Sequence, residues 1–337
     1  LVTQKNLITF ILAIAMFFAL AACSALPSDI DDGIAANTTI SVVDQGGRTV
    51  EIEYPVERLV SGFYISSSTI LALGLSDRLV GIEARADERP VYTRMFPELL
   101  ELPNVGTARD FNLEACIALY PDLVVLPYRL RDAAETLTDM GIPAIVVNPE
   151  SFDELVDMIN LIGVATNTVY RAERLIEWMV DTRDYVIDIS AQFTELPTVY
   201  IAGVGSHLST SPGGMFQSDL VEMAGGINVA ADLPGRGWTE ISYEQLLAMN
   251  PDIIILPAEA SYTVEDVLTN PTLSGLTAVT NGSVYQFSNE FEAWDSPIPS
   301  SMIGALWLLS VLHGHYAGQD FLEFVHAFYS EFYGFSG

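Results

Sequence analysis

Apolar and polar positions change their period along the chain, and each change marks an element. From Thr39 to Tyr54 (TISVVDQGGRTVEIEY) they alternate around a Gln-Gly-Gly turn, which predicts a β-hairpin. Arg58 to Ser61 leads through a strand into a Gly-Phe-Tyr loop. Ser66 to Leu75 follows as a helix ending at Gly74, and Leu79–Ile82 as a buried strand. Beyond a polar loop at Val105–Asn112, Asp132–Met140 reads as a helix closed by Gly141, and Ala144–Val147 as the next strand. Strand, helix, strand in this rhythm implies right-handed parallel crossovers.

Thr166–Phe193 contains neither Gly nor Pro, and Ala172, Ile176, Met179, Arg183 and Val186 fall near one face at helical spacing. Such a helix spans roughly 40 Å. It is either a long surface helix of one domain or a connector between two, and its place between two similar halves favours the connector. The second half opens with the strand Thr198–Ala202 and a Gly-rich loop, Gly203–His207. A helix at Phe216–Met223 is closed by Gly225-Gly226. Ser283–Phe287 reads as a strand, Asn289–Ser296 as an acidic and aromatic loop, and Ile298–Leu312 and Gln319–Phe332 as two closing helices.

The halves are similar because one stretch occurs twice. Residues 113–127 read LEACIALYPDLVVLP and residues 243–257 read YEQLLAMNPDIIILP. Each has an amphipathic helix with an acidic residue in its first turn, where the helix dipole favours negative charge. A Pro-Asp turn breaks the helix. The apolar run that follows (Leu123–Leu126, Ile253–Leu256) reads as a strand buried on both faces, as in a parallel sheet covered by helices. A unit recurring once, about 130 residues on, implies two α/β lobes rather than a solenoid.

The length of 337 residues fits two domains, and with 50% hydrophobic residues each lobe has material for a core. The 44 acidic residues outnumber 14 basic ones, and Lys5 is the sole lysine. Nucleic acid is thereby excluded as a partner, since phosphate binding needs clustered cations. Of the thirteen arginines, Arg85, Arg89, Arg94, Arg109, Arg129 and Arg131 fall close together in sequence. They are either a counter-field for an anionic ligand or ordinary surface ion-pair partners.

The first 23 residues carry Lys5, an apolar run from Leu7 to Ala19, and then Leu20-Ala21-Ala22-Cys23. This is the layout of an export signal, too short for a comfortable membrane span. Leu-Ala-Ala-Cys resembles the bacterial lipobox, in which the cysteine is acylated. Residues 24–38 read as a flexible tether. Cys116 then has no disulfide partner and reads as a buried core thiol.

The ordered set of lipobox, GGRTV, NLE before PDLVVLP, a long central helix, AGGINVAAD, WTEISYEQLL and NPDIIILP resembles a class of ABC-transporter substrate-binding proteins. It is the single-helix-hinge class that captures iron–siderophores, haem and cobalamin, and the resemblance covers nearly all of residues 40–335. It implies an α/β fold of two Rossmann-like lobes with mainly parallel sheets, 39–165 and 195–337, joined by one long α-helix at 166–194. It also implies a monomer on the outer face of the cytoplasmic membrane, held there by lipid on Cys23, with no resident cofactor and no catalysis. The cargo would be a metal chelate, a ferric siderophore foremost, with cobalamin or haem as alternatives. In this class one acidic residue per lobe pairs with permease arginines, and by motif these match Glu114 and Glu244. Ligand contacts come from loops at the cleft ends of strands. Carried over, these are Phe63, Tyr64, Arg85, Arg109, Tyr128 and Arg129 from the first lobe. From the second they are Arg236, Trp238, Glu292, Trp294 and Asp295. Closure of the lobes should be small, because a continuous helix lacks hinge torsions.

Three other readings are open to the sequence. A free-metal receptor needs converging imidazoles or carboxylates. The four histidines, His207, His313, His315 and His326, all lie in the second half, which speaks against a zinc or manganese site. Bare ferric iron on the phenols of Tyr64, Tyr92 and Tyr128 stays open. An enzyme lacks its usual marks: no G-x-S-x-G, P-loop, H-E-x-x-H or complete G-x-G-x-x-G is present. A surface lipoprotein without a transport role would show no stabilisation by any ligand.

Overall fold

The computed structural model describes residues 38–314 and 319–335. The export signal with Cys23, the tether up to residue 37, and His315 lie outside the described residues. The first lobe opens with the antiparallel hairpin β1 (Thr39–Val43) and β2 (Thr49–Glu53). Asp44 closes its turn by accepting from the Gly46 and Arg48 amides, and its second oxygen accepts from the amide of Val146 on a sheet strand. One carboxylate thus ties hairpin to sheet. Then follow β3 (Leu59–Ser61), α1 (Tyr64–Ala72), β4 (Leu79–Gly81), α2 (Pro90–Met95) and α3 (Leu113–Ala118). β5 (Leu123–Pro127), α4 (Arg131–Asp139), β6 (Ala144–Val147) and α5 (Phe152–Ala165) complete the lobe. The four strands after the hairpin form one parallel sheet in the order β4-β3-β5-β6.

The connector α6 runs Val169–Ser190, about 33 Å at 1.5 Å per residue. It starts later than the absence of Gly and Pro implies. Thr166 caps the preceding turn by donating to the Ile162 carbonyl, and Asn167 turns left-handed at φ 57°, which no continuous helix passes. The preceding helix α5 was not read from the sequence, though its signals are there. Ser151 accepts from the Glu154 amide at its start, and Leu155, Met158, Ile159 and Ile162 make a buried stripe.

The second lobe repeats the plan. It contains β7 (Thr198–Ile201), β8 (Ser209–Thr210), α7 (Phe216–Met223), β9 (Ile227–Asn228), β10 (Thr239–Glu240) and α8 (Tyr243–Met249). β11 (Ile253–Leu256), α9 (Val264–Leu268), α10 (Thr277–Asn281), β12 (Val284–Gln286), α11 (Ser301–His313) and α12 (Gln319–Tyr333) follow. Its parallel sheet runs β12-β11-β7-β9, the same order as β6-β5-β3-β4, and β8 and β10 pair separately. Even the register agrees: Leu59 lies beside Leu123, and Val199 beside Ile253. In both sheets the chain reverses its strand order between the two central strands, where a crevice opens beyond their carboxyl ends. The second core packs Tyr200, Ile254 and Leu256 under Leu246, Leu273 and Leu276.

The last helix does not stay with the second lobe. Tyr333 reaches Ser68 of α1 at 3.1 Å, and Arg174 of the connector bonds Glu331 at 2.7 Å. Trp178 packs on Phe328 with ring centroids 4.4 Å apart. First lobe, connector and C-terminal helix therefore share one aromatic seam. Among the described residues no helix is long and apolar enough to cross a membrane.

Candidate functional site

Both strand-order reversals open on the same space, a cleft of about 250 Å³. The first lobe contributes Tyr64 and Ile65, at the start of α1 after β3, and Glu150 after β6. Everything else in the lining comes from the second lobe, including Phe216 and Gln217 at the start of α7, Trp238 before β10, and Glu259 after β11. Asp295 and Ser296 come from the loop before α11. Polar contacts hold the lobes together around it. The Tyr64 hydroxyl donates to Ser296, and Arg89 bonds Glu259 while its guanidinium lies 4.0 Å from the Tyr64 ring centre. Arg236 bonds Glu154 at 2.7 Å, and the Phe152 amide donates to Asp219 at 3.1 Å.

The chemistry of the lining is one-sided. Glu150, Glu259 and Asp295 are carboxylates, and no Lys, Arg or His is among the lining residues. Burial pushes the Asp295 carboxyl up to about 6, against an amide bond from Ala258 that favours the charged form. Burial likewise raises Glu150, opposed by Arg236. Tyr64 is raised by burial, with Arg89 pulling the other way. Gln217 adds a neutral acceptor. Its Nε2 donates to the Asp295 main-chain oxygen at 3.0 Å, and because a carbonyl only accepts, that bond identifies the amine end of the amide. The other end, Oε1, is buried with no partner, and the side chain is 9% exposed. Helices α1 and α7 start at the cleft without side-chain caps, and each helix N-terminus offers an anion about 0.3–1 kcal/mol. A carboxylate about 4 Å from a ligand charge is worth roughly 4 kcal/mol at an effective dielectric near 20. The carboxylates win, and the cleft is electronegative.

The sequence-derived residues divide into groups. Tyr64, Trp238 and Asp295 line the cleft. Phe63 is the residue before α1, half-buried edge-on to Tyr64 at 6.0 Å, and is not part of the lining. Arg236 stands beside the cleft, occupied with Glu154. Glu292 and Trp294 lie outside this lining, since both side chains turn inward. Glu292 accepts from Ser68 at 2.5 Å and Ser300 at 2.7 Å, and the Trp294 indole donates to Tyr329 at 3.0 Å. The reason is the last helix, whose tyrosines cover this loop from outside the second lobe.

Arg85, Arg109, Tyr128 and Arg129 are likewise not brought to this cleft. They sit exposed on first-lobe loops and contribute nothing to the lining. Arg85 lies near Glu88, and Tyr128 carries Arg131 over its ring at 5.3 Å. The arginines close in sequence take different surroundings, Arg89 reaching Glu259 while Arg85, Arg109 and Arg129 are exposed. Tyr92 donates to Glu83 at 2.8 Å in the core, so the three phenols do not converge. Among the described residues no three His, Cys, Asp or Glu side chains gather as a metal site. Glu114 and Glu244 are exposed in the first turns of α3 and α8. Cys116 is buried and free, its thiol pushed up to about 12 by burial.

Sequence reasoning missed Glu150, Gln217 and Glu259. For Gln217 a signal existed, since Gly213-Gly214 brings the chain from β8 into a helix whose first turn bears the amide.

Two Rossmann-like lobes bridged by one helix, with a cleft where both sheets reverse their strand order, define a two-lobed solute-binding protein. The chain belongs to the Periplasmic binding protein family, whose sequence pattern matches residues 59–290. The molybdate-binding protein MolA of Haemophilus influenzae is 23% identical over 317 residues, 87% of this chain and 90% of MolA. MolA's molybdate-bound structure superposes with a TM-score of 0.79 at 22% identity, covering 88% of this chain and 99% of MolA's. The uncharacterized ABC transporter substrate-binding lipoprotein YvrC of Bacillus subtilis is 28% identical over 68% of this chain and 74% of its own. The vitamin B12-binding protein of Yersinia pestis is 27% identical over 61% of this chain and 71% of its own. The protein is the extracytoplasmic substrate-binding component of an ABC importer, and not an enzyme.

Proposed function

We propose that the protein captures a metal chelate, a ferric siderophore foremost, between Tyr64 and Trp238 and hands it to the membrane permease. The observation that carries this reading is the cleft itself, built where both sheets reverse and walled by an aromatic residue from each lobe. Aromatic faces suit the apolar periphery of a chelate, and the polar groups orient it. At about 250 Å³ the cleft is smaller than the usual 300–1,000 Å³ of ligand sites, so a large chelate is held partly outside or with the lobes further apart. Glu114 and Glu244, exposed on equivalent helices, are the docking pair for permease arginines. Acylated Cys23 tethers the protein as a monomer to the outer face of the membrane, in keeping with YvrC being a lipoprotein.

A cobalamin is the second reading, favoured by the relative that binds vitamin B12 and by the same aromatic walls. Molybdate, the ligand of MolA, is disfavoured here because a bare oxyanion needs donors and this lining is rich in acceptors. The test is a thermal-shift panel of ferric siderophores, ferric citrate, haem, cobalamin, molybdate, and iron, zinc and manganese salts. A binder at 100 times its dissociation constant adds about 2.7 kcal/mol. Stabilisation by a chelate and none by free salts is the expected result. Stabilisation by molybdate or a free metal alone would overturn the reading.

A further inference from the structure

The cleft's polar groups specify more than a chelate. Gln217 is nine-tenths buried and held by its amine end on the Asp295 carbonyl, which leaves Oε1 as an acceptor with no donor in the protein. A buried acceptor without a donor is costly, and such groups in native structures ordinarily meet a partner or a ligand. Around it the lining provides the carboxylates of Asp295 and Glu150, with Glu259 already paired to Arg89, and no cationic side chain. The guanidiniums of Arg89 and Arg236 beside the cleft are already engaged, on Glu259 and Glu154.

We propose that this cleft selects a neutral or cationic chelate that presents N–H or O–H donors to Gln217 and the surrounding carboxylates, and that it rejects anionic chelates. The inference rests on the chelate reading above and sharpens it. Iron in a tris-hydroxamate is charge-neutral, and a pendant ammonium or amide supplies donors. A tris-catecholate complex is an anion whose outer face is lined by acceptor oxygens. The Tyr64 and Trp238 walls serve either kind equally, so the discrimination comes from the acceptors. Asp295, held partly protonated by burial when the pH falls, makes the preference for a cation weaken in acid.

The test is calorimetric titration of the full chain in detergent, near neutral pH, with four probes. Ferrioxamine B is a cation, its N-acetyl derivative is neutral, cyanocobalamin is neutral and rich in amides, and ferric enterobactin is an anion. At least one of the first three should bind, with ferric enterobactin about a hundredfold weaker or worse. Gln217→Met should weaken the tightest probe about tenfold, the loss of one hydrogen bond. If that variant does not fold, Asp295→Asn, which keeps the shape and the Ala258 contact, should weaken ferrioxamine B more than its N-acetyl form. Enterobactin binding as tightly as the best of the others would overturn this inference and leave the chelate reading standing. Silence from all four probes would overturn this inference, and the chelate reading falls with it only if the thermal-shift panel is silent too. Unchanged affinity in a folded Gln217→Met, or equal losses for both ferrioxamines in Asp295→Asn, would remove the acceptors from recognition.

Discussion

The two copies of the repeated stretch, one per lobe, agree where they build scaffold and diverge where they meet the cleft. In the first, Asp122 accepts from the amides of Glu57 and Arg58, both at 2.9 Å, and locks the entry to β3. In the second, Asp252 accepts from the Thr198 amide at 2.9 Å and its hydroxyl at 2.6 Å, and locks the entry to β7. The strands leaving these turns bond their neighbours alike, Gly62 to Val125 and Ala202 to Ile255. Past the last proline the likeness ends. Pro127 leads into Tyr128 and Arg129, exposed and outside the cleft. Pro257 leads into Ala258, whose amide holds Asp295, and Glu259, which reaches across to Arg89. The fold is symmetric, and most of the cleft lining comes from the second lobe.

The largest effect should come from reversing the duplicated surface charges. Glu114→Lys with Glu244→Lys should abolish uptake and leave cargo affinity unchanged, measured by transport and by titration on the same protein. Lost affinity would mean these residues belong to the cleft after all. Asp295→Asn probes the second lobe's asymmetry. The folded carboxyl sits at about 6 against an unfolded value near 3.9, so the native state binds the extra proton between them. The wild type should therefore lose stability as pH rises from about 4 to 6, and the ligand-free variant should be more stable at about pH 7 by up to about 3 kcal/mol. The gap should close as the pH falls towards 4, which chemical denaturation along a pH series would follow. A gap of constant size would refute the assignment.

Gly304→Ala strikes the same loop from behind. A Cβ there would lie 2.5 Å from the Trp294 carbonyl oxygen, so α11 and the segment carrying Asp295 would have to part. About 1–3 kcal/mol of stability should be lost, together with cargo affinity. Smallest are Asp122→Ala and Asp252→Ala, each costing about 1–2 kcal/mol because the accepting oxygens are partly solvated. The two costs should be alike, with affinity little changed. A large affinity loss in one alone would break the scaffold symmetry.

Much of this architecture was legible in the sequence because it depends on local pattern. PDLVVLP and NPDIIILP each state a turn and a buried strand, and their recurrence states the duplication. The long helix was legible too, although Asn167 moved its start. The cleft was harder to read because burial depends on what packs on what. Glu292, Trp294 and Asp295 look equivalent in one loop. The distant tyrosines of α12 take up the first two, and the third alone meets the cleft. Likewise, of the arginines close in sequence, Arg85, Arg109 and Arg129 face solvent while Arg89 turns inward to Glu259. Gln217 carries no charge, and beyond the Gly213-Gly214 approach in the sequence only its unpaired oxygen marks it.

The central claim, that cargo is read by the second lobe's divergent loops and not by the arginine loops of the first, is tested most directly by hydrogen exchange. The comparison is the protein alone against the protein saturated with the chelate that stabilises it most. Added protection should fall on residues 203–217, 236–240 and 293–297, with smaller gains at 64–65 and 150, and none at 114–118 or 244–249. Protection confined to 85–89, 107–110 and 128–131 would contradict the account and return recognition to the arginines.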